Sequence, residues 1–167
     1  MVESIVTPMV DFFKDYIPEE LVVFLISMFP VLELRGGMIA ASILDVDLIK
    51  ALLICYAGNV LPLPFILLFI RKIFQFLKRF KKVSKIIEKL EIRAMRKSEK
   101  VQKYRFWGLF FFVALPLPGT GGWTGSLIAA LLDMRLKRSI PTILLGVLAA
   151  DLIMAIFSYG LLGALGL

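Results

Sequence analysis

Two interrupted apolar stretches decide the fold: Phe29-Pro30-Val31-Leu32-Glu33-Leu34-Arg35-Gly36-Gly37 and Leu115-Pro116-Leu117-Pro118-Gly119-Thr120-Gly121-Gly122. Each lies inside a segment otherwise rich in apolar residues, 21–44 and 106–132. Proline costs about 3 kcal/mol in a helix interior and glycine about 1 kcal/mol, so neither segment continues as one helix. Residues 21–29 would make about 14 Å of helix at about 1.5 Å per residue. That is about half of a hydrocarbon core of about 30 Å. Non-helical backbone is tolerated at such depth only where protein covers it or it lines a watery cavity. The pattern predicts two re-entrant helical hairpins whose broken tips meet the middle of a bilayer.

Outward from these tips the chain carries long uncharged runs. Residues 51–70 and 106–132 contain no charge, and 139–167 contains only Asp151. About 20 apolar residues suffice to span a bilayer as a helix. Three such runs cannot all be buried in a soluble fold of 167 residues. The 59% hydrophobic content and mean hydropathy of +0.87 agree. Charge is segregated as well: residues 71–105 hold most of the 20 Lys and Arg, whereas 1–20 is acidic. The expected class is therefore an all-α integral membrane protein, multi-pass, in the plasma membrane of a prokaryote.

The net charge of +7 is read as a cytoplasmic loop obeying the positive-inside rule, and nucleic acid is not an expected partner. A single cysteine, Cys55, allows no intrachain disulfide. With no histidine, a structural zinc site lacks ligands. No phosphate-cradling glycine loop and no nucleophile–base pair is visible, so no cofactor and no enzymatic activity are expected. The acidic N-terminus does not resemble a secretory signal.

The chain reads as one membrane domain, 1–167. An amphipathic N-terminal segment (1–18) precedes a first repeat (19–70), a basic amphipathic linker (71–104) and a second repeat (105–167). Pro30 matches Pro116, 86 residues on. Beyond the break the spacing becomes 88, and Gly37, Ala41, Leu44, Asp45, Leu48 and Gly58 match Gly125, Ala129, Leu132, Asp133, Leu136 and Gly146. Each unit would be a re-entrant hairpin plus one transmembrane helix. If the basic linker 71–105 is cytoplasmic, the first hairpin opens outside and the second, with Arg135, Lys137 and Arg138 in its turn, opens inside. That is an inverted repeat, an architecture of secondary transporters. Four simple spans are the alternative, which would put the Arg135 turn opposite the basic linker. In the linker, Ile73, Phe76, Leu77, Phe80, Val83, Ile86, Ile87, Leu90 and Ala94 recur at helical spacing. The opposite, basic face is expected on anionic lipid headgroups.

Ionisable residues at membrane depth are functional candidates. Glu33 could take up and release a proton, and Arg35 could hold an anionic group bidentately. The alternative is that the two pair with each other, or with backbone groups, and merely pin the hairpin. Asp151 on the last helix and Asn59 on the first aim polar groups at one central region; a structural hydrogen bond from Asp151 to a hairpin turn is the bland alternative. The tip residues Pro30, Pro116, Gly119, Thr120, Trp123 and Thr124 are candidate substrate contacts, with helix amides near Gly122 favouring an anion. Gly121, Gly125 and Ser126 also form small-residue ridges suited to packing.

Phe29–Gly37, Gly58-Asn59-Val60-Leu61-Pro62-Leu63-Pro64 and Leu115-Pro116-Leu117-Pro118-Gly119-Thr120-Gly121-Gly122-Trp123-Thr124-Gly125 resemble the small multidrug export protein family. That family looks distantly similar to the DedA/VTT membrane proteins, which have paired re-entrant hairpins and are implicated in moving lipids. The resemblance implies that Glu33 matches the DedA acidic residue. DedA-like proteins carry arginine around the second hairpin's proline, where Gly119 and Gly121 stand here. The expected function is a secondary transporter or lipid translocase, proton-coupled, moving an amphipathic anionic substrate such as a lipid phosphate. The alternatives are a cationic-drug/proton exporter and a non-transporting scaffold or assembly factor. With two full spans, a homodimer is expected. Single cysteines at residues 11 and 85, with Cys55 replaced, should label from opposite faces of the membrane; labelling from one face would rule the topology out.

Overall fold

Proline, glycine and short polar turns cut the chain into nine helices among the described residues. The computed structural model describes residues 3–97, 99–117 and 119–161. Helices α1 (Glu3–Phe13), α2 (Glu19–Met28), α3 (Glu33–Ile43) and α4 (Leu48–Val60) form the first half. Helices α5 (Leu63–Leu77) and α6 (Lys81–Lys97) connect it to α7 (Glu99–Ala114), α8 (Gly122–Leu131) and α9 (Leu136–Ala155). A π-helical stretch, Ile156–Leu161, follows α9.

Large apolar side chains lie on the outside of the protein as well as in its interior. Asn59, Ser27 and Ser126 are fully buried and Asp151 is 1% exposed, whereas Leu53 is 67% and Phe65 62% exposed. Apolar surface of this extent fits hydrocarbon rather than water. Leu48–Ile70 and Leu136–Gly160 are long and apolar enough to cross a bilayer, and only 33% and 39% of their apolar windows are buried in the protein. A core helix of a soluble domain would be mostly covered. The interior is built from Val22, Val23 and Ile26 of α2, Met38 of α3, Leu109 and Val113 of α7, and Ile143 and Val147 of α9.

The two halves close their turns with the same bonds. The α3–α4 turn is closed by Leu44 N to Ala40 O (3.0 Å) and Val46 N to Ala41 O (2.9 Å). The α8–α9 turn is closed by Leu132 N to Ile128 O (2.9 Å) and Met134 N to Ala129 O (3.0 Å), each 88 residues on. Both turns pass through an aspartate with left-handed backbone, Asp45 (φ 52°) and Asp133 (φ 55°), a conformation that Asp tolerates better than most residues. Packing matches too. A Cβ on Gly58 would lie 2.7 Å from Phe24 O and 3.0 Å from Ser27 Cβ; one on Gly146 would lie 3.2 Å from Phe110 O and 2.8 Å from Val113 Cβ. Phe110 and Val113 follow Phe24 and Ser27 by 86, the spacing read before the break.

Three boundaries differ from the sequence reading. The first interruption is shorter than Pro30–Gly37: helix resumes at Glu33, so Gly36 and Gly37 lie within α3. Their small size serves packing, since a Cβ on Gly37 would collide with Ser27 and approach Cys55 Sγ to 2.9 Å. The linker is not one helix from Ile73. The first span runs on as α5 to Leu77, a turn intervenes, and the amphipathic helix α6 starts at Lys81, with Lys78 Nζ bridging back to Glu91 at 2.6 Å. Helix α7 starts at Glu99, inside the segment read as linker. Pro62 stands where α4 gives way to α5.

Gly58→Val and Gly146→Val should each destabilise the protein by about 1–3 kcal/mol through overpacking, read as a lower unfolding midpoint in detergent. Gly160→Ala, whose Cβ would meet among the described residues only Ile156 Cγ2 at 3.9 Å, should stay within about 0.5 kcal/mol.

Candidate functional site

Glu33 opens α3 in an unusual backbone state. Its φ is 51°, a left-handed conformation that costs of order 1–3 kcal/mol for a residue with a side chain and persists only where surroundings over-determine it. Backbone bonds hold it from below, with Glu33 N donating to Phe29 O at 2.8 Å and Gly36 N to Leu32 O at 3.0 Å. The side chain holds it from above. Glu33 is 4% exposed, and its carboxylate reaches across to the start of α8. Oε2 accepts from Gly122 N at 3.2 Å and Oε1 from Trp123 N at 3.3 Å.

These are two of the amides that a helix N-terminus leaves without an intrahelical partner. The positive end of the α8 dipole favours an anion at that point. Gly121 makes the approach feasible. Its φ is 118°, and a Cβ there would run into the Glu33 carboxylate.

Arg35, half-buried one helical step beyond, donates from Nη2 to Thr120 O at 2.7 Å. Thr120 shapes the second tip. Its hydroxyl lies 2.7 Å from Leu115 O and 2.8 Å from Leu117 O, sharing its proton between them, and accepts from Leu117 N at 3.2 Å. Glu33 and Arg35 act on each other electrostatically but hydrogen-bond elsewhere. Both reach into the opposite tip, the carboxylate to amides and the guanidinium to a carbonyl.

Four of the residues singled out from sequence, Glu33, Arg35, Thr120 and Trp123, thus come together at one junction. Pro30 lies in the exposed α2–α3 break, and Pro116 and Gly119 (φ 78°) lie in the α7–α8 break. Thr124 is half-buried at the next position of α8. Asn59 and Asp151 are buried on α4 and α9. The sequence reading placed an anion site at the amides near Gly122 but missed the pairings: Glu33 itself fills that site, and Arg35 takes the Thr120 carbonyl. The glycine pair Gly121-Gly122 is the signal that could have found them, because it marks a place for close approach. Ser27, which donates to Val23 O at 2.8 Å and lies against Cys55, was also missed. Among the described residues no three His, Cys, Asp or Glu side chains converge as a metal site would require.

A protein-family model described as "Putative small multi-drug export protein" matches residues 33–153, a span from Glu33 to two residues past Asp151. No curated protein and no solved structure matches the chain.

Gly121→Ala should break the junction, because it strains the backbone at positive φ and displaces the carboxylate. A loss of about 2–4 kcal/mol is expected from the two effects together. Faster hydrogen exchange at the amides of residues 122 and 123 would locate the damage; unchanged exchange there would contradict the assigned contact.

Proposed function

The chain belongs to the small multi-drug export protein family, and from that premise we propose a proton-coupled secondary exporter of small amphipathic molecules. Its architecture in this reading is an inverted repeat of two re-entrant hairpins, α2–α3 and α7–α8, each followed by a spanning helix. The equivalent turns and glycine contacts support it. So does the direction of the spans: Tyr159 Oη donates to Val46 O at 2.7 Å and Tyr56 Oη reaches Leu144 O at 3.4 Å. As the residue number rises on α4 it falls toward the start of α9, so the two run antiparallel. Tyr56 and Leu144 are 88 residues apart, as are Glu33 and Gly121. Contacts between equivalent positions are what a pseudo-two-fold axis in the membrane plane produces.

The observation that carries the mechanism is the carboxylate of one hairpin seated on the amides of the other. Ionised, Glu33 accepts two charge-assisted bonds and holds the tips together. Protonated, it keeps at most neutral bonds. Hydrogen bonds to charged groups are worth about 1.5–3 kcal/mol against about 1 kcal/mol for neutral ones. A difference of about 1.4 kcal/mol per bond moves an equilibrium about tenfold, so one proton can bias the tips toward parting. Alternating access then amounts to rocking one hairpin against the other.

On substrate, the junction favours the export reading over an anionic lipid. Arg35 and the α8 amides already have acceptors, and together with Glu33 they form a neutral set. A lipid phosphate would have to displace Glu33 to reach them, which is the second reading, supported by Arg35 and the α8 N-terminus. A scaffold using the same contact for packing is the third. The protein acts in this scheme without a cofactor and as a transporter rather than an enzyme. The basic face of α6 rests on anionic headgroups of the cytoplasmic leaflet, and a homodimer supplies the walls that two spans cannot.

Reconstitution tests this. Proteoliposomes carrying an imposed pH gradient should move a cationic dye, with a fluorescent phospholipid and a lipid phosphate run alongside. The Glu33→Gln protein, eluting as a single folded species, should lose gradient-driven movement by about tenfold or more. Equal movement by parent and variant sinks the coupling role of Glu33. Movement of the phosphate alone selects the second reading, and movement of none of the three selects the scaffold.

A further inference from the structure

Asn59 and Asp151 have the burial of core residues without the bonding of core residues. Asn59 is fully buried and Asp151 is 1% exposed. Yet Asn59 Oδ1, Asn59 Nδ2 and Asp151 Oδ1 have no hydrogen-bond partner within the protein. Buried polar atoms are nearly always bonded, and the exceptions call for an explanation in ligand, ion or chemistry. Glu33 is the contrast, since its two oxygens are taken by amides and Arg35 lies close by.

The two side chains share one neighbourhood. Asp151 acts electrostatically on Cys55 and Tyr56, which lie one turn before Asn59 on α4. Leu63, one turn after Asn59 past Pro62, and Val147, one turn before Asp151, both pack over Gly122, at 3.0 and 3.2 Å from where its Cβ would stand. Because the two spans run antiparallel, the step from Leu63 back to Asn59 and the step from Val147 on to Asp151 go the same way. Both polar groups therefore lie on one side of that three-helix contact. The Cys55 thiol and the Tyr56 hydroxyl are further polar groups near Asp151, and the Ser27 hydroxyl lies against Cys55. Among the described residues no lysine or arginine pairs with Asp151.

We propose that Asp151 and Asn59 form a binding site for one monovalent cation at the α4–α9 crossing. A carboxylate buried at membrane depth without a counter-charge costs several kcal/mol, and a single positive charge removes that cost. The Asn59 amide carbonyl adds a second hard oxygen. One carboxylate balances a charge of one and would leave a divalent ion such as calcium half-neutralised. The ligand is thus a sodium ion or the cationic head of an organic molecule. In the second case the site names the cargo of the exporter proposed above, and to that extent it rests on that reading.

Equilibrium binding to the purified full-length protein tests the proposal without requiring transport. The probes are radiolabelled sodium and, separately, tetraphenylphosphonium, a lipophilic organic cation. The parent should bind one of them saturably, and which one separates coupling ion from cargo. Asp151→Asn, nearly isosteric, should bind it about tenfold or more weakly, and Asn59→Leu about threefold or more. A second measurement needs no variant: a hydrophobic carbodiimide should modify Asp151, mapped by mass spectrometry, and the bound cation should protect it. Binding of neither probe by the parent, full affinity in folded Asp151→Asn, or absence of protection would each overturn the site. Full affinity in Asp151→Asn alongside lost coupling in Glu33→Gln removes the cation site and leaves the export reading. Cation binding by a parent that moves nothing does the reverse.

Discussion

The structure hangs on a carboxylate donated by one helix pair to the amides of another. Helix α8 begins at Gly122 in the interior of the protein, and its first amides have no carbonyl of their own to bond. In water they would be solvated. Buried in protein, each unsatisfied group costs about 1–3 kcal/mol, so an acceptor must be brought to them, and Glu33 brings both of its oxygens. Three otherwise costly features follow from that requirement. The backbone at Glu33 is left-handed, Gly121 has no side chain, and Arg35 sits within electrostatic range of the carboxylate while bonding Thr120 O. Remove the carboxylate and none of the three has a reason to exist.

Around this junction the helices associate without a strong hydrophobic drive, because lipid tails are as apolar as the side chains that face them. Close approach does the work instead. Gly58 and Gly146 let α4 and α9 press against the backbones of α2 and α7. Large apolar side chains lie outside as well as within. Asn59 and Asp151 contrast with the buried hydroxyls of Ser27, Ser139 and Thr142, which bond to carbonyls one turn back; the buried Ser126 hydroxyl and Trp123 indole N–H share their lack of a partner.

Much of the helical layout was legible in the residues. Pro30 and Pro116 mark breaks, because proline removes a donor and clashes with the preceding turn, and breaks occur there. Asp45 and Asp133 mark the turns before the two spans. The linker was less legible. Its apolar spacing runs smoothly through Phe76 and Phe80, yet α5 ends at Leu77 and α6 begins at Lys81; periodicity reports a face and cannot register a change of direction. Gly36 and Gly37 were also ambiguous, since the same residue serves a broken backbone and a close contact. Only the presence of Ser27 and Cys55 opposite Gly37 decides for contact.

The candidate site divides along the same line. Composition and charge segregation alone determine a helical chain with spans fit for a bilayer. They also single out Glu33, Arg35 and Asp151 as the ionisable groups at depth, because the energy of placing charge in hydrocarbon depends on residue type more than on neighbours. What those groups bond to was decided by tertiary structure. Glu33 and Arg35 lie two residues apart, and the chain alone allows them to pair. Folding sets each against the other half, about 90 residues away, through backbone groups of Gly122, Trp123 and Thr120, for which the glycine pair Gly121-Gly122 is the one mark in the sequence. Hydrogen-bond partners across a fold depend on where helices cross, and crossings are set by packing of whole helices rather than by any residue read singly.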